Sequence, residues 1–453
     1  MQYRSINRAR LEALNAEEQA RFVAEHPRSR ACFEEARRSL LGGVPMSWMN
    51  KWAGGFPLYL REAHGARLTD VDGHTYIDFC LGDTGAMAGH SPVRAVEGIS
   101  RQLQRGVTTM LPTEDAAWVG RELCRRFGLP YWQFTLSATD ANRFSIRLAR
   151  ALTKRPRILS FNYSYHGTVD ETFATLQPDG SVGPRGGNVG PPVNPAVTTR
   201  VVEFNDLEAL ERALAQEDVA CVLTEPALTN IGIVLPEPGF HEALRRLTRR
   251  YGSYLIIDET HTFSAGVGGC TRAWGLEPDF LTTGKSLGGG VPVGAFGVSE
   301  AVAEAIAHLA DADLVDTGGV GGTLAGNALS VAAMRATLEG VLTEAAFAHM
   351  LPLADRFVAG VREVLAEVRL PWHIVQLGAR AEFRFSAEPP VNGGSSAALA
   401  DPLLEDYLRL HAINRGVLRT PFHNMALMCP ESCEADVDRH TEVFRASVEP
   451  LFG

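Results

Sequence analysis

From about residue 115 the apolar positions of the chain switch between two periods. Short runs rich in apolar residues recur at Tyr131–Leu136, Arg157–Phe161, Val219–Thr224, Tyr254–Ile257, Phe280–Thr283 and Val291–Val298. Each has the length and character of a strand buried on both faces. Between them the spacing becomes helical. Ala141, Phe144, Leu148 and Leu152 follow one another at three, four and four residues, and Phe240, Leu244, Leu247 and Tyr251 share one face of a helix that Gly252 stops. The arginines at 245, 246, 249 and 250 lie near that helix's C-terminus, where cations complement the macrodipole without any ligand. Strands alternating with helices predict an α/β fold whose central sheet is open and mostly parallel, with helices on both faces.

The flanks read differently. Residues 1–40 are amphipathic helical material, closed by Gly42-Gly43-Val44-Pro45. A small meander follows at Leu58–Glu62, Arg67–Asp70 and Thr75–Phe79, with turns at His64-Gly65 and Asp72-Gly73. Beyond residue 330 come a long helical run, a strand at Ala379–Phe385, a Pro/Gly/Ser loop at 387–397, a helix ending near Gly416 and a last helix. The expected division is an N-terminal segment at 1–80, a large α/β domain at 81–334 and a C-terminal α+β region at 335–453, the two ends building one smaller domain. A chain of 453 residues is long enough for two or three such units.

Charge and cysteine usage narrow the function. Lys+Arg 43 against Asp+Glu 53 gives a net charge of -10, the opposite of a nucleic-acid-binding surface. No apolar stretch approaches the ~20 residues of a membrane span, and MQYRSINRARLEALNAEE has no apolar core of a signal peptide. The expectation is a cytoplasmic protein with neither nucleic-acid nor membrane partners. Seven cysteines, an odd number, read as free thiols. Cys429 and Cys433 lack a second cysteine or histidine pair at matching spacing, so no metal site is expected. Lysine occurs only at 51, 154 and 285, which leaves three candidates for any lysine chemistry.

Ligands of open α/β sheets sit beyond the carboxyl ends of the strands. Four such ends carry polar residues: Ser137-Ala138-Thr139, Tyr165-His166-Gly167, Asp258-Glu259 and Gly284-Lys285-Ser286. Singly these read as an N-cap, a half-buried aromatic, an ion-paired acid and a solvated lysine. A P-loop is excluded, because position 279 is Asp where that motif needs Gly, and the acidic strand precedes the lysine. Gly284-Lys285-Ser286-Leu287-Gly288 also fits the elbow of a serine hydrolase using Ser286, but a glycine run and Pro292 follow where that elbow needs a helix. Pyridoxal 5'-phosphate uses all four ends. Its aldehyde needs a lysine, Lys285; its pyridine nitrogen a carboxylate, Asp258. Its phosphate needs helix N-terminal N–H groups, at Ala138 and Thr139, and its ring a stacking partner, Tyr165.

On the segments LSATDANRFSIRLAR, NYSYHG, LTEPALTN, YLIIDETHT, TTGKSLGGGVPVGAFG and GGTLAGNALS, the chain from about residue 35 onward resembles the class III, fold-type I pyridoxal-phosphate aminotransferases, and within them the glutamate-1-semialdehyde aminomutase branch. The resemblance implies that Lys285 carries the cofactor and that Asp258 pairs with the pyridine nitrogen. It further implies Thr260 against the ring face opposite Tyr165, with Ser137 and His166 among the cofactor contacts. Asn230 would lie near the phenolic oxygen, and Gly322 and Thr323 would reach the phosphate of a neighbouring subunit, hence a homodimer. Three motifs depart from that branch. Ser137-Ala138-Thr139 replaces Ser-Gly-Thr, Pro45-Met46-Ser47-Trp48-Met49 stands where the aminomutases hold substrate with Ser and Arg, and Phe422-His423-Asn424-Met425 replaces Phe-Glu-Ala-Gly. Together with the Asp-Glu-Thr-His-Thr segment, this resembles enzymes that pass the amino group of a D-arylglycine to 2-oxoglutarate. Under that resemblance Trp48, Trp52 and Phe56 are candidates for an aryl pocket, and Arg380, Arg384, Arg419 and His423 for substrate contacts.

Overall fold

The structure, a computed structural model, describes residues 3–191, 193–309 and 318–452. It divides into two compact units, one made of Val93–Glu344 with Pro390–Ala398, the other of Met1–Pro92, Ala345–Pro389 and Leu399–Gly453.

The first unit is built on a seven-stranded sheet. In chain order its strands are β1 (Tyr131–Thr135), β2 (Arg157–Phe161), β3 (Thr199–Val202), β4 (Val219–Thr224), β5 (Tyr254–Asp258), β6 (Phe280–Thr283) and β7 (Gly294–Val298). Their spatial order is β1-β7-β6-β5-β4-β2-β3. Only β7 runs against its neighbours, pairing antiparallel with both β6 and β1, so the carboxyl ends of the other six point the same way. Alternate residues feed two cores, as the pleat requires. Cys221, Leu223 and Ile256 join Ala141, Phe144 and Leu148 on one face, while Val222, Leu255 and Ile257 join Phe240, Leu244 and Leu247 on the other. Helices therefore cover both faces, and the two helical stripes legible in the sequence are the ones that do it.

Three features differ from the sequence reading. β7 begins at Gly294 rather than Val291, since Pro292 has no N–H to give to a ladder. The 387–397 loop contains a short helix, Gly393–Ala397, capped by Asn392, and β3 was not anticipated.

In the second unit, helices Arg8–Glu25 and Pro27–Ala36 are separated at His26 by the proline that starts the latter. The strands Leu60–His64, Arg67–Asp70 and Thr75–Asp78 form the meander, and Val417–Leu418 adds to it in parallel with Thr75–Asp78. Residues from both ends of the chain thus share one sheet. A second sheet holds His373–Leu377, Arg380–Arg384 and Met425–Leu427.

Candidate active site

The parallel register of the first unit brings the polar strand ends together. Asp258 is paired with Thr282 on β6, and Ile257 with Thr224 on β4, so Glu225 comes level with Asp258 and Lys285 follows three residues beyond Thr282. Asp258 is 4% exposed. One carboxylate oxygen accepts from Asn142 Nδ2 at 2.8 Å and lies 3.0 Å from His166 Nδ1. The other accepts the Thr260 hydroxyl at 2.6 Å and the Thr260 N–H at 3.1 Å. Burial alone would raise this acid, but the His166 ring, the Thr260 hydroxyl and the Asn142 amide outweigh it and hold Asp258 below the usual carboxylate value. A buried carboxylate kept charged on purpose is what a protonated pyridine nitrogen needs opposite it.

Asn142 is itself fixed by the Thr282 hydroxyl at 2.6 Å and donates to the His166 carbonyl at 3.1 Å. The bonded His166 nitrogen faces an acceptor, while its Nε2 is buried with no hydrogen-bond partner. Glu225, next along, accepts from the Thr229 hydroxyl. Desolvation dominates there, and despite the His166 charge its carboxyl is pushed up to about 7.

The anion end of the site is the helix Ala138–Thr153. Ser137 caps it, its hydroxyl accepting from the Asp140 N–H at 3.2 Å, and its carbonyl takes the Ala141 N–H. That leaves the Ala138 and Thr139 N–H groups for an external acceptor. Ala138 sits inside the helix and is not among the positive-φ residues, so alanine in place of glycine loses nothing here. Two real glycines crowd this terminus. A Cβ on Gly284 would lie 2.9 Å from Ala138 N, and one on Gly167, at φ 76°, would lie 2.0 Å from Thr139 Oγ1.

Lys285 lies in a short 3₁₀ turn, Lys285–Gly288, directly after β6. Its φ is 48°, a left-handed conformation that a side-chain-bearing residue rarely adopts and that recurs at functional positions. Its Nζ is 2.9 Å from His261 Nε2. Ser286, beside it, is buried and its hydroxyl has no hydrogen-bond partner. No hydrogen-bonding base touches that oxygen among the described residues, and a 3₁₀ turn stands where a nucleophile elbow needs a helix, so the geometry gives the hydrolase alternative no support.

Tyr165 is half-buried, one residue before His166, and Asn230 is partly exposed beyond β4. Gly322 and Thr323 are exposed and line a cleft with residues 108–112, where Met110 is 77% exposed. Asn142, Thr282, Glu225 and His261 were not anticipated. The signal for Asn142 was present, since it is a polar residue on the Ala141/Ser145 face of an otherwise apolar helical stripe.

The expected substrate residues lie in the other unit. Arg380, Glu382 and Arg384 alternate along one strand and share a face. Arg380 donates to the Thr84 hydroxyl, Arg384 lies 4.0 Å from Glu405, and His423 Nδ1 lies 3.4 Å from Glu382. Arg419 donates to the Leu408 carbonyl at 2.9 Å and packs 5.1 Å over the Phe383 ring; burial and then Arg409 pull its pKa to about 9. Phe56 is a core residue beside Phe22, and Trp52, partly buried, packs against the same cluster. Trp48 meets Phe422 edge-on at 6.2 Å, and Lys51 lies 5.5 Å over the Phe422 ring.

The residues of the first unit fit pyridoxal phosphate: a lysine on a strained turn, a buried charged carboxylate and two unused helix N–H groups. Comparison with known proteins agrees. Residues 48–436 match the family model for class III aminotransferases. The chain is 31% identical to the glutamate-1-semialdehyde 2,1-aminomutase of Desulfitobacterium hafniense, covering 94% of this chain and 98% of that one. It is 51% identical, with a TM-score of 0.96, to the crystal structure of a glutamate-1-semialdehyde aminomutase from Pseudomonas aeruginosa PAO1 in complex with PMP, covering 98% and 99% of the two chains. An omega-transaminase from Sphaerobacter thermophilus is 29% identical at a TM-score of 0.85, over 94% and 98%.

Proposed function

Because the chain belongs to the class III aminotransferase family of fold-type I pyridoxal-phosphate enzymes, we propose that it carries pyridoxal 5'-phosphate on Lys285 and moves the amino group of a D-arylglycine, such as D-phenylglycine or D-4-hydroxyphenylglycine, to 2-oxoglutarate. The products are the aryl-oxoacid and L-glutamate. The observation carrying the cofactor half is the buried, charged Asp258, held by three side chains at once.

Bound there, the cofactor supplies the electron sink that lets a Cα–H bond of an amino substrate break. Lys285 Nζ takes and returns that proton as base and acid, and His261 orients the amine from 2.9 Å. Asp258 would favour the protonated ring nitrogen, and the Ala138 and Thr139 N–H groups would hold the phosphate. Tyr165, Thr260 and Asn230 would hold the ring. Thr323 and Gly322 would help hold the phosphate of a neighbouring subunit, and the working unit would then be a homodimer.

The donor half rests on this chain's own residues. Trp48 and Phe422 present paired aryl surfaces in the two segments where the aminomutase branch places Ser, Arg and Glu. For Lys285 to take the α-proton of both a D-donor and L-glutamate on the same face, the D-donor would bind with carboxylate and side chain exchanged.

The comparisons give more support to a second reading, glutamate-1-semialdehyde 2,1-aminomutase, the name carried by the Desulfitobacterium and Pseudomonas relatives. One experiment separates them. The loaded enzyme is given D-phenylglycine, L-phenylglycine or glutamate-1-semialdehyde without acceptor, and the cofactor spectrum and products are followed. Benzoylformate from the D-enantiomer alone supports the first reading. 5-Aminolevulinate from the semialdehyde, with no response to either phenylglycine, replaces it with the second.

A further inference from the structure

Far from the cofactor residues in sequence, the junction between helices Arg8–Glu25 and Pro27–Ala36 meets the turn between strands Arg67–Asp70 and Thr75–Asp78. Four side chains converge there. His26 Nε2 is 3.6 Å from Asp70 Oδ2, and His74 Nδ1 is 3.3 Å from the same oxygen. The Tyr76 hydroxyl lies 2.8 Å from His26 Nε2 and 2.7 Å from Asp70 Oδ2. The three His and Asp donor atoms all lie within 4.8 Å of one another.

The protons in this cluster do not balance. His26 Nδ1 is 2.7 Å from the Phe22 carbonyl, which only accepts, so that nitrogen carries a hydrogen and the neutral ring turns a lone pair toward Tyr76. Tyr76 has a single hydroxyl proton for two short contacts. If it goes to Asp70, nothing lies between His26 Nε2 and the phenol oxygen; if it goes to His26, nothing lies between the phenol and the carboxylate. The cluster is short of one positive charge, next to a carboxylate whose side chain is 0% exposed.

We propose that His26, Asp70 and His74 bind a tetrahedral divalent cation, zinc(II) by their nitrogen and oxygen donors, and that it ties the helix junction to the hairpin turn. Bonds of about 2.0–2.2 Å from a tetrahedral zinc place its ligands about 3.3–3.5 Å apart, close to the 3.3 and 3.6 Å found. The Phe22 carbonyl is the outer hydrogen-bond partner that fixes the tautomer of a metal-bound histidine. His74, 41% exposed at its side chain, opens the site to solvent, from which a water molecule would complete the tetrahedron. On binding, the cation takes lone pairs from His26 Nε2, His74 Nδ1 and Asp70 Oδ2, and any proton held between His26 and Tyr76 leaves to solvent; no electron is transferred.

The pyridoxal-phosphate-loaded enzyme, stripped with a chelator and dialysed, is titrated with zinc(II), reading bound metal per chain and the thermal midpoint. In parallel, cobalt(II) is added and its visible absorption recorded. One zinc per chain at low micromolar concentration, a raised midpoint and the intense bands of four-coordinate cobalt are expected. His74→Ala, at a half-exposed position, keeps the cofactor and the zinc-free midpoint but weakens binding by at least about 100-fold; His26→Gln repeats the test from the buried side. Absence of micromolar binding means that a proton on His26 fills the place and overturns the proposal. Stoichiometric binding that survives both substitutions overturns it as well.

Discussion

His166 Nδ1 lies 3.0 Å from Asp258 Oδ2, and the histidine side chain of the pair is 0% exposed. The acid is charged because of this neighbour, against the effect of its own burial. Replacing His166 by Ala leaves desolvation opposed only by Thr260 and Asn142, so the Asp258 pKa rises. The acidic limb of the rate profile then moves to higher pH, and turnover at neutral pH falls by about 10- to 100-fold. Rate profiles of variant and parent between pH 5 and 9 provide the check; an unmoved acidic limb contradicts the assignment.

Lys285→Ala removes the amine that holds the cofactor and moves the proton. Amino transfer falls by more than about 10³-fold, while the fold survives, because the Lys285 side chain is only half-buried and the neighbouring Ser286 and Leu287 supply the buried packing of the turn. Loss of the cofactor's visible absorption after gel filtration, with unchanged circular dichroism, is the expected pair of results.

Gly284→Ala tests the close approach beneath the lysine. The added carbon meets Ala138 N at 2.9 Å and its Cβ at 3.0 Å, so either strand β6 or the helix terminus must shift. The expected cost is about 1–3 kcal/mol of stability, together with weaker phosphate binding, measured as a lower thermal midpoint and a raised cofactor dissociation constant.

Glu225→Gln changes the pH dependence of stability. Burial pushes the folded-state carboxyl up to about 7 from its ordinary value of 4.5, so between those values the native protein holds a proton that the unfolded chain has lost. Native stability therefore falls as pH rises through this window, by up to about 3 kcal/mol, and levels off above it. The neutral glutamine does not titrate. Its midpoint relative to the parent should rise from pH 5 to pH 8; a constant difference would show that Glu225 is not the group responsible.

The sheet was legible because strands buried on both faces leave continuous apolar runs, and the helices facing them leave stripes such as Phe240, Leu244 and Leu247. The polar strand ends were legible for the same reason, since each closes an apolar run. What escaped was set by long-range geometry. The strand His373–Leu377 was missed because the preceding helix, Glu344–Val368, ends at Arg369 with φ 58° rather than at a glycine. His261 gave no signal of its own, because only the turn after β6 brings Lys285 to it. His26 and His74 were likewise silent, being 48 residues apart with no motif spacing.

The antiparallel course of β7 has a mechanical result. Lys285 leaves β6 and the chain returns along β7, hydrogen-bonded to the strand it has just left. The lysine backbone is therefore anchored from both sides like the post of a crane, and the four-carbon side chain is the boom. Whatever distance the amine travels between its resting position and a reacting carbon comes from rotation about those carbon–carbon bonds, with the sheet standing still.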